Sequence, residues 1–230
     1  MRKLLIFVLV LIVLVVGVDI GGRALAESKA GDAVAGKTGG VAPSVDIHGM
    51  SFLLQAVPGH YSHITLTSNS VVAGPITGIA AIVDLYTVDF PLSDALKGDT
   101  SHLTADQGRL VGQIAAGKIA ALLPQAGVRI SAGPDGSIRL ATTVSVAGQK
   151  IPLTADLVTS FESGSLHLDA ENLDAAGIAL PNVAGLQKNL SLVLPLKGLP
   201  FAVESADLTA SGSNLVLTAT AKNIAMGATT

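Results

Sequence analysis

Residues 138–161 read IRLATTVSV, AGQK, IPLTADLVTSF, and this stretch decides the fold. Ile138, Leu140, Thr142, Val144 and Val146 alternate with Arg139, Ala141, Thr143 and Ser145. After the turn residues Ala147-Gly148-Gln149-Lys150 the alternation resumes at Ile151, Leu153, Ala155, Leu157, Thr159 and Phe161. A period of two sends successive side chains to opposite faces, so each run is a strand with one buried face, and the short polar joint makes the pair an antiparallel hairpin.

The same grammar extends outward. Gly133-Pro134-Asp135-Gly136 precedes the pair and Glu162-Ser163-Gly164-Ser165 follows it, which predicts a meander between Val128 and Leu173. Ala202 to Ala210 and Leu215 to Asn223 flank Ser211-Gly212-Ser213-Asn214 as a second hairpin. Two longer strands, His60 to Val72 and Ile76 to Asp89, are broken by Ala73-Gly74-Pro75. They exceed the usual length of about five or six residues and predict a long, twisted or curved sheet. Helical spacing is confined to Leu92–Lys97, Val183–Asn189 and Gly112–Leu123, the last stopped by Pro124, with Ile114, Ile119, Leu122 and Leu123 on one side.

Composition sets the class. Of 230 residues, 49% are hydrophobic and 13% charged, which excludes intrinsic disorder. The formal charge is −3, and it grows more negative without the first 26 residues, which carry Arg2, Lys3 and Arg23 against Asp19 alone. With no Trp, two Tyr and five Phe, the chain lacks both the positive field and the stacking platforms that nucleic acid requires. The absence of Cys excludes disulfides, thiolate metal sites, a cysteine nucleophile and a lipid-modified N-terminal cysteine.

Behind Arg2 and Lys3, the run Leu4–Val18 is interrupted only by Gly17 and ends at Asp19. It lies between the length of a signal-peptide core and the roughly 20 residues of a spanning helix. Ala24-Leu25-Ala26 fits a cleavage site, whereas Gly21 to Lys29 reads as a helical continuation, so residues 1–26 are either an uncleaved anchor or a cleaved signal. Either way the positive-inside rule predicts an extracytoplasmic domain, held at the outer face of the cytoplasmic membrane or secreted into the periplasm after cleavage near Ala26. Residues 27–44 form a helical continuation and Gly-rich joint, and 45–230 a single β-rich domain. Within the joint, Gly31 to Thr38 satisfies the phosphate-loop pattern. No buried strand precedes it and Gly39-Gly40-Val41-Ala42-Pro43 cannot begin the required helix, so it reads as a hinge.

The block Val45-x-Ile47-x-Gly49-x-Ser51-Phe52-Leu53-x-Gln55 is followed by Gly59-x-Tyr61-x-x-Ile64 and later by Leu199-Pro200-Phe201. Together with Asp19 and Leu25-Ala26-Glu27, these residues resemble the LmeA family of actinobacterial envelope proteins, departing at Ser51, where the family usually has Pro. The resemblance implies an extracytoplasmic phospholipid-binding protein that supports envelope lipid or lipoglycan maintenance. It also implies an α+β, β-rich fold in which a long curved antiparallel sheet wraps a helix, similar to the half-barrels of tubular lipid-binding domains. Such a sheet offers an aliphatic groove for acyl chains, worth about 0.8 kcal/mol per buried methylene. The candidate lining is Phe52, Leu53, Leu54, Leu66, Ile82, Leu153 and Phe201.

Catalytic chemistry has no signature here. His60 and His63 fall on opposite faces of a strand, His48, His102 and His167 lack metal-ligand spacing, and neither a G-x-S-x-G elbow nor an S-x-x-K pair occurs. No enzymatic activity, cofactor or metal is expected. The expected partners are phospholipid or another acyl lipid and the cytoplasmic membrane. The alternative is a non-catalytic structural or adaptor domain docking on a membrane-bound envelope enzyme such as a glycosyltransferase.

Overall fold

A computed structural model describes residues 16–32, 42–73, 76–97, 99–146, 148–180, 182–196, 199 and 201–225. Most of the apolar N-terminal run, the phosphate-loop-like segment from residue 33 onward, and positions 74–75, 147, 197–198 and 200 of the predicted turns and motifs lie outside these residues. Helix α1 covers residues 16–32, followed by β1 (Ser44–His48), α2 (Phe52–Ala56), β2 (His60–Ala73), β3 (Ile76–Asp89) and α3 (Leu92–Lys97). Next come β4 (Thr104–Ala115), α4 (Ala116–Ala120), β5 (Arg129–Ala132), β6 (Ile138–Val146), β7 (Gln149–Glu162) and β8 (Ser165–Asp174). The chain closes with α5 (Val183–Leu190), β9 (Leu192–Pro195), β10 (Ser205–Ser211) and β11 (Asn214–Ala225).

The strands form two sheets, a six-stranded one in the order β1-β2-β3-β4-β11-β10 and a five-stranded one in the order β5-β6-β7-β8-β9. The β-rich class and both predicted hairpins are present. The sheet count differs from the single sheet that the resemblance implies, because strand partnership between distant segments leaves no trace in local alternation. Backbone contacts divide the chain into a first unit (residues 1–68, 82–108 and 222–230) and a second (69–81 and 109–221). Strands β2, β3, β4 and β11 contribute residues to both.

The second unit shows why 138–161 carries the fold. Ile138 lies opposite Leu157, Leu140 opposite Ala155, Thr142 opposite Leu153 and Val144 opposite Ile151, so every inward side chain of β6 meets an inward side chain of β7. Leu140, Leu153, Leu166 and Leu168 are among the most deeply buried residues of the protein. On the outer face Arg139 reaches Asp156 directly across the ladder at 3.5 Å. Helix α5 seats on β8, where the Ser191 hydroxyl accepts from Ala170 N (3.0 Å) and the Gln187 amide donates to Ala170 O (3.3 Å). Between the sheets, Thr159 Oγ1 donates to Asp207 Oδ1 at 3.2 Å.

One predicted helix is corrected. Residues 112–115 belong to β4, and only Ala116–Ala120 is helical. Leu110, Gly112, Ile114 and Ala116 are buried at alternate positions, so the strand period wins over the helical spacing of the leucines downstream. Gly112 lies close to Ile79, where a Cβ would stand 3.4 Å from Ile79 Cγ2, an ordinary packing distance.

In the first unit, β1 pairs with β2 so that Ile47 faces Ile64 and Val45 faces Leu66. Alternation slips along β3, where Leu85 and Val88 are both buried and Thr87 between them has φ 50°. In β11 Ala221 and Ile224 are both buried and Asn223 has φ 49°. Each is a bulge that inserts one residue and returns the next apolar side chain to the core, at the cost of local twist.

Helix α1 is fastened to the segment between β1 and α2 by a polar row spaced four residues apart. Asp19 Oδ1 accepts from Ser51 Oγ (2.9 Å) and Leu53 N (2.7 Å), Arg23 Nη2 donates to Gly49 O (2.8 Å), and Glu27 Oε1 accepts from Ile47 N (2.9 Å). Residues i, i+4 and i+8 share one helix face, while 47, 49, 51 and 53 recur every second residue along the opposing segment, so the two periods mesh. Phe52 packs flat against Gly22, where a Cβ would be 3.3 Å from the ring. The backbone hydrogen bond from Leu53 lowers the Asp19 pKa below its ordinary 3.8, with those from Phe52 and Ser51 and the charge of Arg23 acting in the same direction.

Two outcomes are expected. Leu140→Ala should cost about 2–5 kcal/mol in denaturant unfolding, whereas Arg139→Ala on the solvent face should cost less than about 1 kcal/mol. Asp19→Ala should accelerate amide hydrogen exchange at Leu53 and the segment around it. In the wild type, because the folded pKa of Asp19 is depressed, this clasp is complete above the ordinary 3.8 and is lost only as pH falls through the lower folded value. Unchanged exchange at Leu53 in the variant would contradict the clasp.

Candidate lipid-binding site

Within the second unit the inward faces of the two sheets leave a cavity of about 30 Å³. One wall is Ile76 and Ile79 of β3, Ile114 of β4, Leu208 of β10 and Leu217 of β11; the other is Leu166 of β8, Leu194 and Pro195 of β9, and Leu196 just beyond. Every lining side chain is hydrocarbon. The volume equals about one water's share of the liquid, and a space with no polar partner stays dry. Ile114, Leu166, Leu194, Leu208 and Leu217 are buried members of their strands, and they meet where short β9 forms the edge of its sheet.

A second hollow, in the first unit, has the opposite character. It lies beside α1 and β1, holds about 350 Å³ and is lined by Glu27, Asp32 and Asp46 together with Ser28 and Ser44. Three carboxylates repel a phosphate, so this hollow does not suit a phospholipid headgroup.

None of the seven residues predicted to line a groove borders the aliphatic cavity. Phe52 is buried against α1, Leu53 is half-buried beside it, and Leu54 is 80% exposed. Leu66 is half-buried on β2 and Ile82 is 44% exposed on β3; these five belong to the first unit. Leu153, at 0% exposure, and Phe201, also buried, belong to the second. Local alternation does not single out the lining: Ile114 falls in the stretch expected to be helical, and an inward position on a strand can border a cavity or solid core alike.

The histidines stand apart from the cavity. His63 Nε2 is 2.9 Å from Asp84 Oδ1, His102 Nδ1 is 2.9 Å from Asp94 Oδ2, and His60 pairs with Asp89. Thr65 Oγ1 touches both His63 Nε2 (3.2 Å) and Asp84 Oδ1 (2.8 Å), but a relay needs the acid and the nucleophile on different ring nitrogens, and here both face Nε2. His63 is instead stacked between His48 and Tyr86, with centroid distances of 4.3 and 4.5 Å. Among the described residues no group of three or more His, Asp or Glu side chains is placed to hold a metal ion.

The motif block acquires a physical reading. Val45 and Ile47 enter the core, Ile47 N and Gly49 O meet α1, Ser51 caps α2, Phe52 covers Gly22, and Leu53 N meets Asp19. Gln55 ties the segment to itself, donating to His48 O (3.1 Å) and Ser51 O (3.2 Å) and accepting from Ser62 N (3.0 Å). Gly49 has φ 128°, and its missing Cβ leaves the place that the Gln55 amide fills. The block is a helix-fastening strip, and Ser51 serves it with both its hydroxyl and its extended backbone.

The described structure is β-rich, with an aliphatic cavity between its two sheets in the second unit. Residues 17–220 match the family described as LmeA-like phospholipid-binding, so the chain belongs to that family, and phospholipid is its ligand class. No curated protein and no solved structure matches it. The matched region begins at Gly17 and thus includes the whole α1 clasp.

Proposed function

We propose that this protein is an extracytoplasmic phospholipid-binding protein that holds acyl chains in the aliphatic seam of the second unit and serves envelope lipid or lipoglycan upkeep by binding rather than by reaction. The observation that carries the reading is the lining of the cavity: every side chain on it is hydrocarbon, in a chain whose family binds phospholipid. At about 30 Å³ the seam is the collapsed form of the site. A ligand widens it, and burial of each methylene returns about 0.8 kcal/mol. Leu194 and Pro195 lie on the four-residue edge strand β9, which pairs on one side only, and such a strand is the least costly part of a sheet to displace.

The location rests on the sequence. Arg2 and Lys3 before the apolar run orient the rest of the chain outward. Among the described residues no helix is long and apolar enough to cross a membrane. The described part of α1, residues 16–32, continues through Ala26, and cleavage there would separate Asp19, Gly22 and Arg23 from their partners. That geometry favours retention of the N-terminal segment as an anchor.

The full chain, extracted gently and purified, should carry phospholipid detectable by mass spectrometry. Leu196→Trp, which fills the seam from its half-buried rim, should reduce the carried lipid while leaving the thermal midpoint within a few degrees of wild type. A lipid-free wild-type protein that also ignores phospholipid vesicles would end this reading.

A further inference from the structure

The three most exposed large apolar side chains among the described residues lie in and beside α2, next to the Asp19 end of α1. Met50 is fully exposed, Leu54 is 80% exposed and Val57 77%. Leu54 and Val57 lie three residues apart in α2 and at its C-cap, on the side away from the buried Phe52 and Ala56, and Met50 stands just before the extended Ser51 that caps the helix. Val16, Val18 and Ile20 are also exposed, at the start of α1. Apolar side chains as exposed as Met50, Leu54 and Val57 gain nothing from contact with water.

What covers this end is indicated by the chain itself. The apolar run Leu4–Val18 enters α1 at this end, and Asp19 is the first charge after it. An apolar run in a bilayer ends where its first charged residue meets the polar interface. Asp19 is hydrogen-bonded to Ser51 and Leu53, the residues flanking Phe52 in the strip that carries Met50 and Leu54. The rigid clasp therefore holds these side chains at the depth of Asp19, within the zone of about 5–10 Å that interfacial apolar groups occupy.

We infer that Met50, Leu54 and Val57 form a bilayer-docking edge, inserted into the lipid interface beside the N-terminal segment and held there by the Asp19 clasp. The docking is apolar, since no Lys or Arg lies among residues 50–57, and so it is insensitive to ionic strength. It does not depend on what the seam of the second unit holds, because every residue concerned belongs to the first unit.

The absence of cysteine makes the test direct. Full-length M50C, L54C and V57C, each labelled with an environment-sensitive fluorophore, are reconstituted through the N-terminal segment into phosphatidylcholine–phosphatidylglycerol vesicles containing a headgroup-level nitroxide lipid. S28C is the control, exposed on the same helix about 13 Å further along its axis by the 1.5 Å rise per residue. Labels at 50, 54 and 57 should emit at shorter wavelength and be quenched by the nitroxide lipid at low and high salt alike, and the label at 28 should emit as in water. Water-like emission at all three positions would overturn the inference. So would shielding that the nitroxide lipid does not quench, since that result means burial against a second copy of the chain. The phospholipid content of the purified protein is a separate readout, so failure here is distinguishable from failure of the seam to bind lipid.

Discussion

A strand that buries one face cannot slip by a single residue without turning its whole apolar set into water, and this constraint governs the protein. Register between β6 and β7 is set by the opposition of Ile138 with Leu157, Leu140 with Ala155 and Val144 with Ile151. The same rule extends through Leu166 opposite Leu194 in the five-stranded sheet and Leu208 opposite Leu217 in the six-stranded one. Those four leucines are also walls of the seam. Fold and candidate site are thus one feature: inward aliphatic faces meet closely along most of the second unit and incompletely at the edge near β9. Because the lining is aliphatic and nearly free of aromatic rings, it has no fixed shape to recognise, which suits chains of methylene groups.

The first unit works differently. Its cohesion around α1 is polar and local, a row of Asp19, Arg23 and Glu27 meshed with backbone atoms of Ile47, Gly49 and Leu53 and the hydroxyl of Ser51. The bonds to Ile47, Gly49 and Leu53 satisfy backbone groups that would otherwise be left to water, and Ser51 adds its hydroxyl. The row couples α1 to the position of β1 and α2, so the proposed membrane attachment of the N-terminal segment would orient the first unit rather than tether it loosely.

How much was legible in the sequence depended on the range of the interaction. The meander from β5 to β8, the β10–β11 hairpin and the two long strands follow from alternation and turn residues, which are local. Residues 112–115 carry two competing periods: Ile114, Ile119, Leu122 and Leu123 fit a helical stripe, while Leu110, Gly112 and Ile114 extend the strand pattern, and the strand wins. The division into two sheets was not readable, since β4 pairs with β11 across about half the chain. Among the candidate lining residues, Leu153 was sound as an inward position but lies in solid core, and Leu54 was apolar yet turns to solvent. Apolar identity marks neither a cavity nor a face. The block from Val45 to Gln55 was visible only as a resemblance; its role in holding α1 required seeing Asp19 and Glu27 beside it.

The central claim is that acyl chains lie between the two sheets of the second unit, and photocrosslinking tests it most directly. A phospholipid bearing a diazirine near the end of one acyl chain, bound to the full-length protein and irradiated, should label peptides containing Ile79, Ile114, Leu166, Leu194 and Leu217. Labelling confined to the peptide of Met50, Leu54 and Val57, with none on the seam, would contradict it.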